Sequence, residues 1–307
     1  MLWYEELDRK VKEYLPDLKM VEEEPMSRHT SFRIGGPARR MAFPASGEQL
    51  VLLAEFAREC GAHPLVIGNG TNLLVPDGEL DRLVIDTSAR MNTAEPESAQ
   101  RCVLHAQSGI SLAALAELAR RSGLTGLEFA HGIPGTVGGA VCMNAGAYGG
   151  EMCQVVRSAS VLDPEHGVRT LSGEELCFSY RRSVLTQHPD WIVLSASFAL
   201  EEGDPGEIRA RMEELMSRRR ASQPLEFPSA GSTFKRPEGH YAGTLIDNCG
   251  LKGLTVGGAQ VSEKHAGFLI NRGGATFEDV TGLIGEVQRR VFEKTGVRLE
   301  PEVKIIR

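Results

Sequence analysis

The sequence predicts an α+β chain divided into two domains, on three observations. Helix-like and strand-like segments alternate over roughly the first 200 residues, the pattern of a mixed core. Two glycine-rich stretches, PLVIGNGTNLLVP at 64–76 and HGIPGTVGGAVCMNAGAYGG at 131–150, sit among apolar residues inside that part, where a flexible linker would gain nothing from them. The breaker-rich EEGDPG at 201–206 ends the alternation. The expected division is therefore 1–203, in two lobes of about 1–78 and 79–203, and a smaller α+β domain at 204–307.

Taken in order, Leu7, Val11, Tyr14, Leu15 and Leu18 share one helical face, so an amphipathic helix opens the chain. Residues 47–60 predict a second helix stopped by Gly61. Residues 111–122 predict a third, N-capped by Ser111 and stopped by Gly123. β-like runs lie at 82–86, 101–106, 155–162 and 191–200. At 64–76 an apolar run is broken by Gly68-Asn69-Gly70-Thr71-Asn72 and resumed, which reads as strand, tight loop, strand. Leu73 stands where the third glycine of a dinucleotide fingerprint would be. The stretch at 131–150 reads as a rigid cradle. Glycines lie at 132, 135, 138, 139, 146, 149 and 150, with apolar punctuation at Ile133, Val137, Val141 and Met143. Glycine lets a ligand approach the backbone, and exposed N–H groups there suit a phosphate. His131, just before the cradle, reads as a local hydrogen-bonding residue. In the second part, helices are expected at 207–222, near 243–249 and at 277–295, with β-like runs at 254–261, 267–271 and 302–306.

A net charge of −7 and a pI near 5.7 argue against a nucleic-acid surface, which needs a concentrated basic face. The cysteines at 60, 102, 142, 153, 177 and 249 form no C-x-x-C pair and are expected as buried small hydrophobes in a reducing compartment. No metal site is indicated. The charged N-terminus lacks a signal-peptide core and no apolar run reaches membrane length, so a soluble cytoplasmic protein without membrane insertion is expected.

These segments together resemble the UDP-N-acetylenolpyruvoylglucosamine reductase family. The resemblance is carried in order by 30–36 (TSFRIGG), 68–72 (GNGTN), 132–140 (GIPGTVGGA), 144–149 (NAGAYG), 179–183 (SYRRS), 230–234 (AGSTF), 265–268 (HAGF) and 301–303 (PEV), from about residue 28 onward. It implies a two-lobed FAD-binding domain of the vanillyl-alcohol-oxidase (PCMH) type plus a smaller α+β substrate-binding domain whose C-terminal strand returns to the active site. It further implies noncovalent FAD, NADPH as cosubstrate and a UDP-sugar substrate; no protein partner is inferred. The compact segment after Gly239 resembles the family's shorter form. Cofactor contacts are implied at Arg33, at Gly68, Asn69, Gly70, Thr71, Asn72 and Leu73, at Gly132, Ile133, Pro134, Thr136, Gly138 and Gly139, and at Asn144 and Gly146.

Reduction of an enolpyruvyl ether places hydride on the methylene carbon and leaves charge beside the carboxylate, as an enediolate dianion. That intermediate needs donors on the carboxylate and a proton at the carbanion. Arg181 resembles the carboxylate-stabilising arginine, whose planar fork can bind both oxygens. Ser232 resembles the proton donor, although a serine after Gly231 equally suits a turn. Glu302 resembles the acidic partner, expected to act protonated, its pKa raised by burial or nearby negative charge. Tyr148, Lys235, Arg236 and His265 are the expected substrate contacts. Arg236 departs from the asparagine of other members, though a cation beside a diphosphate is chemically reasonable. Against this stand an oxidase of the same cofactor fold and a non-enzymatic nucleotide-binding protein. The Arg181, Ser232 and Glu302 set disfavours both, and no G-x-S-x-G, H-E-x-x-H or Walker A motif supports a hydrolase.

Overall fold

The computed structural model describes residues 2–307. By contact the chain forms two compact units. The first takes the chain up to Glu22, Arg40–Asn69 and Arg82–Ser217; the second takes Glu23–Arg39, Gly70–Asp81 and Arg218–Arg307.

In the first unit, α1 (Trp3–Tyr14) buries Leu7 and Val11, while Tyr14 is exposed. Leu15 and Leu18 are buried beyond the helix end, so only part of the predicted face is helical. Leu7 and Val11 share a core with Leu50, Leu53 and Phe56 of α2 (Gly47–Glu59). The Ser46 hydroxyl accepts from Gln49 N at 3.2 Å and starts α2, and Gly61 follows its end at φ 72°. α3 (Leu112–Arg121) starts the same way, Ser111 Oγ accepting from Ala114 N at 3.2 Å. A five-stranded antiparallel sheet runs in the order Gly167–Ser172, Val156–Asp163, Ile192–Ala199, Val103–Gln107 and Ala94–Pro96. Its buried face supplies Leu104, Ala106, Ala159, Val161, Ala196 and Phe198 to the core that α3 covers with Leu112, Leu115 and Ala119. Leu65–Ile67 pairs in parallel with the end of Leu80–Asp86, Leu65 opposite Val84 and Ile67 opposite Asp86.

Four features differ from the sequence reading. The glycine cradle contains a helix, α4 (Val137–Met143), where none was predicted. The EEGDPG stretch is packed rather than free: Glu201 pairs with Thr125 and Glu202 with Leu124, and Asp204 Oδ1 accepts from Glu207 N at 2.9 Å. Its Gly, Asp and Pro are the start signal of α5 (Pro205–Ser222), whose Ile208 and Met212 join the first unit's core. None of the six cysteines is in a disulfide and none is buried; Cys153 and Cys177 are exposed. Strands at Lys19–Pro25 and Pro37–Phe43 were not anticipated, the first because KMVEEEP shows no apolar alternation.

In the second unit, α6 (Ala242–Asn248) and α7 (Phe277–Thr295) pack with a three-stranded antiparallel sheet of Thr255–Val256, Ala259–Val261 and Leu269–Asn271. α7 has the bounds predicted for it. Thr276 Oγ1 accepts from Asp279 N at 3.1 Å while Asp279 Oδ2 accepts from Thr276 N at 3.0 Å, and Gly296 ends it at φ 73°. Its buried stripe is Val280, Leu283, Ile284, Val287 and Val291. The C-terminal strand Lys304–Ile305 pairs in parallel with Leu73–Leu74, directly after the first glycine loop. Among the described residues no helix is long and apolar enough to cross a membrane, and no cluster of His, Cys, Asp and Glu could hold a metal ion.

Candidate active site

In the first unit the two glycine stretches meet. Asn69 Nδ2 donates to Pro134 O at 2.9 Å, and a Cβ on Gly68 would fall 2.1 Å from Thr136 Oγ1. Gly68 is thus required for the close approach of the two loops. The cradle is stitched to the chain before α3: Leu112 N donates to Gly135 O (3.1 Å), Val137 N to Ile110 O (3.0 Å) and Gly138 N to Ser108 O (2.7 Å). The N–H groups of Val137 and Gly138 therefore have internal partners, contrary to the expectation that the cradle's donors face outward. Gly138 serves packing, since a Cβ there would lie 3.0 Å from Ser108 Cβ.

Gly139 is different. It lies exposed in α4 with no positive φ, and a Cβ on it would meet only Thr136 Oγ1, at 3.8 Å. Glycine in a helix costs about 1 kcal/mol relative to alanine. Nothing in the fold requires it, and the space beside it is open. His131, expected to hydrogen-bond locally, instead has a buried Nδ1 without a hydrogen-bond partner.

α4 ends at Asn144 in the left-handed conformation, φ 43°. Its buried amide is committed to the fold: Nδ2 donates to Glu151 Oε2 (3.0 Å) and Ser179 O (3.1 Å), and Oδ1 accepts from Cys153 N (2.9 Å). A tight hairpin follows, Gly146–Ala147 against Gly150–Glu151, with Tyr148 and Gly149 at φ 55° and 88° in its turn. A Cβ on Gly146 would lie 2.7 Å from Gly150 O, so the hairpin itself demands that glycine. Tyr148 stands exposed at its tip.

Arg181 belongs to the same cluster. Ser179 and Arg182 exchange backbone hydrogen bonds of 3.0 and 3.1 Å, leaving Tyr180 and Arg181 at the corner. Arg181 is held at φ 55°, a conformation that disfavours a side chain by roughly 1–2 kcal/mol. The Ser183 hydroxyl donates to Cys142 O at 2.7 Å and ties the corner to α4. Arg181 Nη2 donates to Gly146 O at 3.2 Å, and its guanidinium lies 5.2 Å from the Tyr180 ring. Such strain, held by surrounding contacts, is the kind that accompanies a positioned functional group. Tyr180 and Ser183 were not read from the sequence as holding this corner, although both lie inside the quoted SYRRS.

The second unit brings together Ser232 and the Glu302 backbone. The Gly231–Lys235 stretch is paired on both sides: Ser232 bridges Phe268, and Phe234 bridges Pro301. Thr233 N donates to Gly267 O (2.8 Å) and Glu302 N to Thr233 O (2.8 Å). The Glu302 carbonyl accepts from Asn72 Nδ2 at 3.1 Å. Ser232 is exposed and follows Gly231 at φ 76°, its hydroxyl 3.4 Å from Phe234 O. Lys235 pairs with Glu300 at 3.3 Å, and the Arg236 guanidinium lies 4.6 Å from the Tyr241 ring.

The loop bearing Arg33 is also in this unit. A Cβ on Gly70 would lie 1.9 Å from His29 O, and Arg33 stands exposed at φ 56°. Buried Asn271 fixes that loop, Nδ2 donating to Phe32 O at 3.0 Å. The sequence reading passed over Asn271. A lone amide ending the apolar Leu269-Ile270 run before Gly273 was the available signal.

Matches to known proteins bear on this fold. Residues 38–172 match the model of an FAD-binding domain. A solved alkyldihydroxyacetonephosphate synthase, 18% identical with a TM-score of 0.50 over 65% of this chain and 44% of its own, shares the fold alone. The fold and the site define an FAD-containing oxidoreductase. Residues 223–306 match the C-terminal domain of UDP-N-acetylenolpyruvoylglucosamine reductase. The reductase of that name from Caldanaerobacter subterraneus is 50% identical over 297 residues, 97% of each chain. That from Limosilactobacillus reuteri is 50% identical over 291 residues, 95% of this chain and 96% of its own. The solved Thermus caldophilus enzyme superposes with a TM-score of 0.78 at 36% identity, over 94% of this chain and 99% of that one. The chain belongs to the UDP-N-acetylenolpyruvoylglucosamine reductase family.

Proposed function

We propose that the chain reduces UDP-N-acetylenolpyruvoylglucosamine to UDP-N-acetylmuramate for peptidoglycan synthesis in the cytoplasm, with NADPH as hydride source. The observation that carries this reading is the joint presence of a strained, pinned Arg181 and a Ser232 strand paired with the Glu302 segment. Near-full-length identity to reductases of that name supports the substrate. The proposed domain roles are those expected from the sequence, cofactor binding toward the N-terminus and substrate binding toward the C-terminus.

FAD, when bound, would supply the two-electron hydride chemistry that links NADPH to the substrate's methylene carbon. The chain's residues do the rest. Arg181 binds the substrate carboxylate through both guanidinium nitrogens and stabilises the enediolate dianion. Ser232 gives its hydroxyl proton to the carbanion carbon. The enediolate is basic enough that a neutral positioned donor suffices. Glu302 acts in its protonated form, because a carboxylate anion beside a dianion would be repulsive. Lys235 and Arg236 offer positive charge to the diphosphate, and Tyr148 an exposed ring beside the cradle.

FAD is held without a covalent bond, and in the first unit the cradle with Gly68 and Asn69 offers the backbone that would take it. Acid precipitation should leave all flavin in the supernatant, and flavin on the pellet would contradict this. Gly139→Val should lower flavin content severely while leaving the apoprotein melting temperature within a few degrees, because only ligand space is filled. Full flavin content in that variant would show that the cofactor does not approach Gly139.

Turnover should be ping-pong: NADP leaves before the sugar nucleotide is reduced, so initial-rate plots against the two substrates should be parallel. Intersecting lines would require both substrates bound together and would overturn this order.

A further inference from the structure

His265 was expected to touch substrate, but its surroundings in the second unit assign it a different task. Its Nδ1 accepts a hydrogen bond from Gly267 N at 3.1 Å, and its carbonyl accepts from Phe268 N at 2.9 Å. The turn so closed carries the two backbone groups on which the Ser232 strand hangs: Gly267 O, which accepts from Thr233 N at 2.8 Å, and Phe268, which bridges Ser232. The imidazole packs edge-on to the Phe268 ring, centroids 5.0 Å apart. Gly267 lies beside both it and Ser232. A Cβ on Gly267 would lie 3.2 Å from His265 Nδ1 and 3.4 Å from Ser232 Oγ, and one on Gly243 3.2 Å from His265 Cε1.

We propose that His265 is the positioning residue for the Ser232 hydroxyl, its unprotonated Nδ1 locking the Ala266–Phe268 turn from which the Ser232 strand is suspended, and that protonation of this nitrogen releases the lock. The inference rests on reading Ser232 as the proton donor. An imidazolium has no acceptor, so the Gly267 N–H bond exists only while Nδ1 is bare and the ring proton sits on Nε2. Burial holds the His265 pKa below the ordinary imidazole range; a hydrogen bond with its own backbone opposes this, and the Lys252 ammonium, paired with Asp247 at 2.6 Å, reinforces it. Beside the ring stand Gly243 of α6 and the Phe268 ring, and Ser262 Oγ accepts from His265 N at 3.2 Å. The neutral, locked form therefore prevails at neutral pH and is lost on acidification.

The chemistry of the lock separates positioning from substrate contact. Asparagine places Oδ1 where Nδ1 stands and can accept from the N–H two residues on, whereas glutamine reaches the place of Nε2. In the flavin-loaded enzyme, His265→Asn should reoxidise with the enolpyruvyl sugar within about fivefold of wild type, and its acid limb should vanish from the pH profile of that half-reaction. His265→Gln and His265→Ala should slow the same step on the order of 10²-fold with little change in KM, while reduction by NADPH stays at wild-type rate and reports intact folding. Rescue by Gln but not Asn, or a loss confined to KM, would make His265 a substrate contact and overturn the proposal. So would an acid limb that persists in His265→Asn. A failure of the underlying reading is distinguishable, because it would appear as an unaffected reoxidation in Ser232→Ala.

Discussion

Ser232→Ala should bleach with NADPH at nearly the wild-type rate and then reoxidise with the enolpyruvyl sugar on the order of 10²–10⁴-fold more slowly. The hydroxyl is assigned only to protonation of the substrate carbanion, a step absent from hydride transfer out of NADPH. Ser232 is exposed, and its hydroxyl makes one long contact of 3.4 Å to Phe234 O. The strand is held by Thr233 and Phe234 through their backbones, so removing the hydroxyl should leave the fold intact. Ser232→Cys should recover part of the lost rate, because a thiol can also donate. Equal slowing of both half-reactions would make the residue structural, and slowing of neither would assign the proton to another source.

Arg181→Lys should slow reoxidation by the sugar on the order of 10²–10³-fold and leave reduction by NADPH unchanged. Lysine keeps the charge but cannot present two parallel donors to one carboxylate. It also gives up the guanidinium's bond to Gly146 O, which at 3.2 Å fixes the direction of the fork. The corner itself is held by the Ser179–Arg182 backbone pair and by Ser183, so the substitution tests the side chain and not the turn. Stopped-flow reoxidation in each variant gives the comparison. A wild-type rate in Arg181→Lys would show that a point charge is enough and that bidentate binding is not the basis of stabilisation.

Much of the fold was legible because its signals are local. The 277–295 helix has Thr276 and Asp279 at one end, Gly296 at the other and an uninterrupted apolar stripe between, so its bounds follow from sequence. α4 gave no such signal: Gly138 and Gly139 have poor helix propensity, and the helix is held by tertiary bonds to Ser108 and Ile110. EEGDPG misled because Gly, Asp and Pro serve a loop and a helix start equally. At the site, the motifs marked which residues matter but not how they are held. Ser232 lies on a stretch joined to distant segments by single bridges, which leave no periodicity to read. The strain at Arg181 and the open space at Gly139 are likewise properties of the folded backbone, invisible in residue identities.

The most direct test of the central claim is an anaerobic single turnover of the purified yellow protein. NADPH should bleach the flavin in the absence of sugar nucleotide. One equivalent of UDP-N-acetylenolpyruvoylglucosamine should then restore the colour and yield one UDP-N-acetylmuramate per flavin. A bleached protein that regains its colour with oxygen but not with the enolpyruvyl sugar would contradict the account.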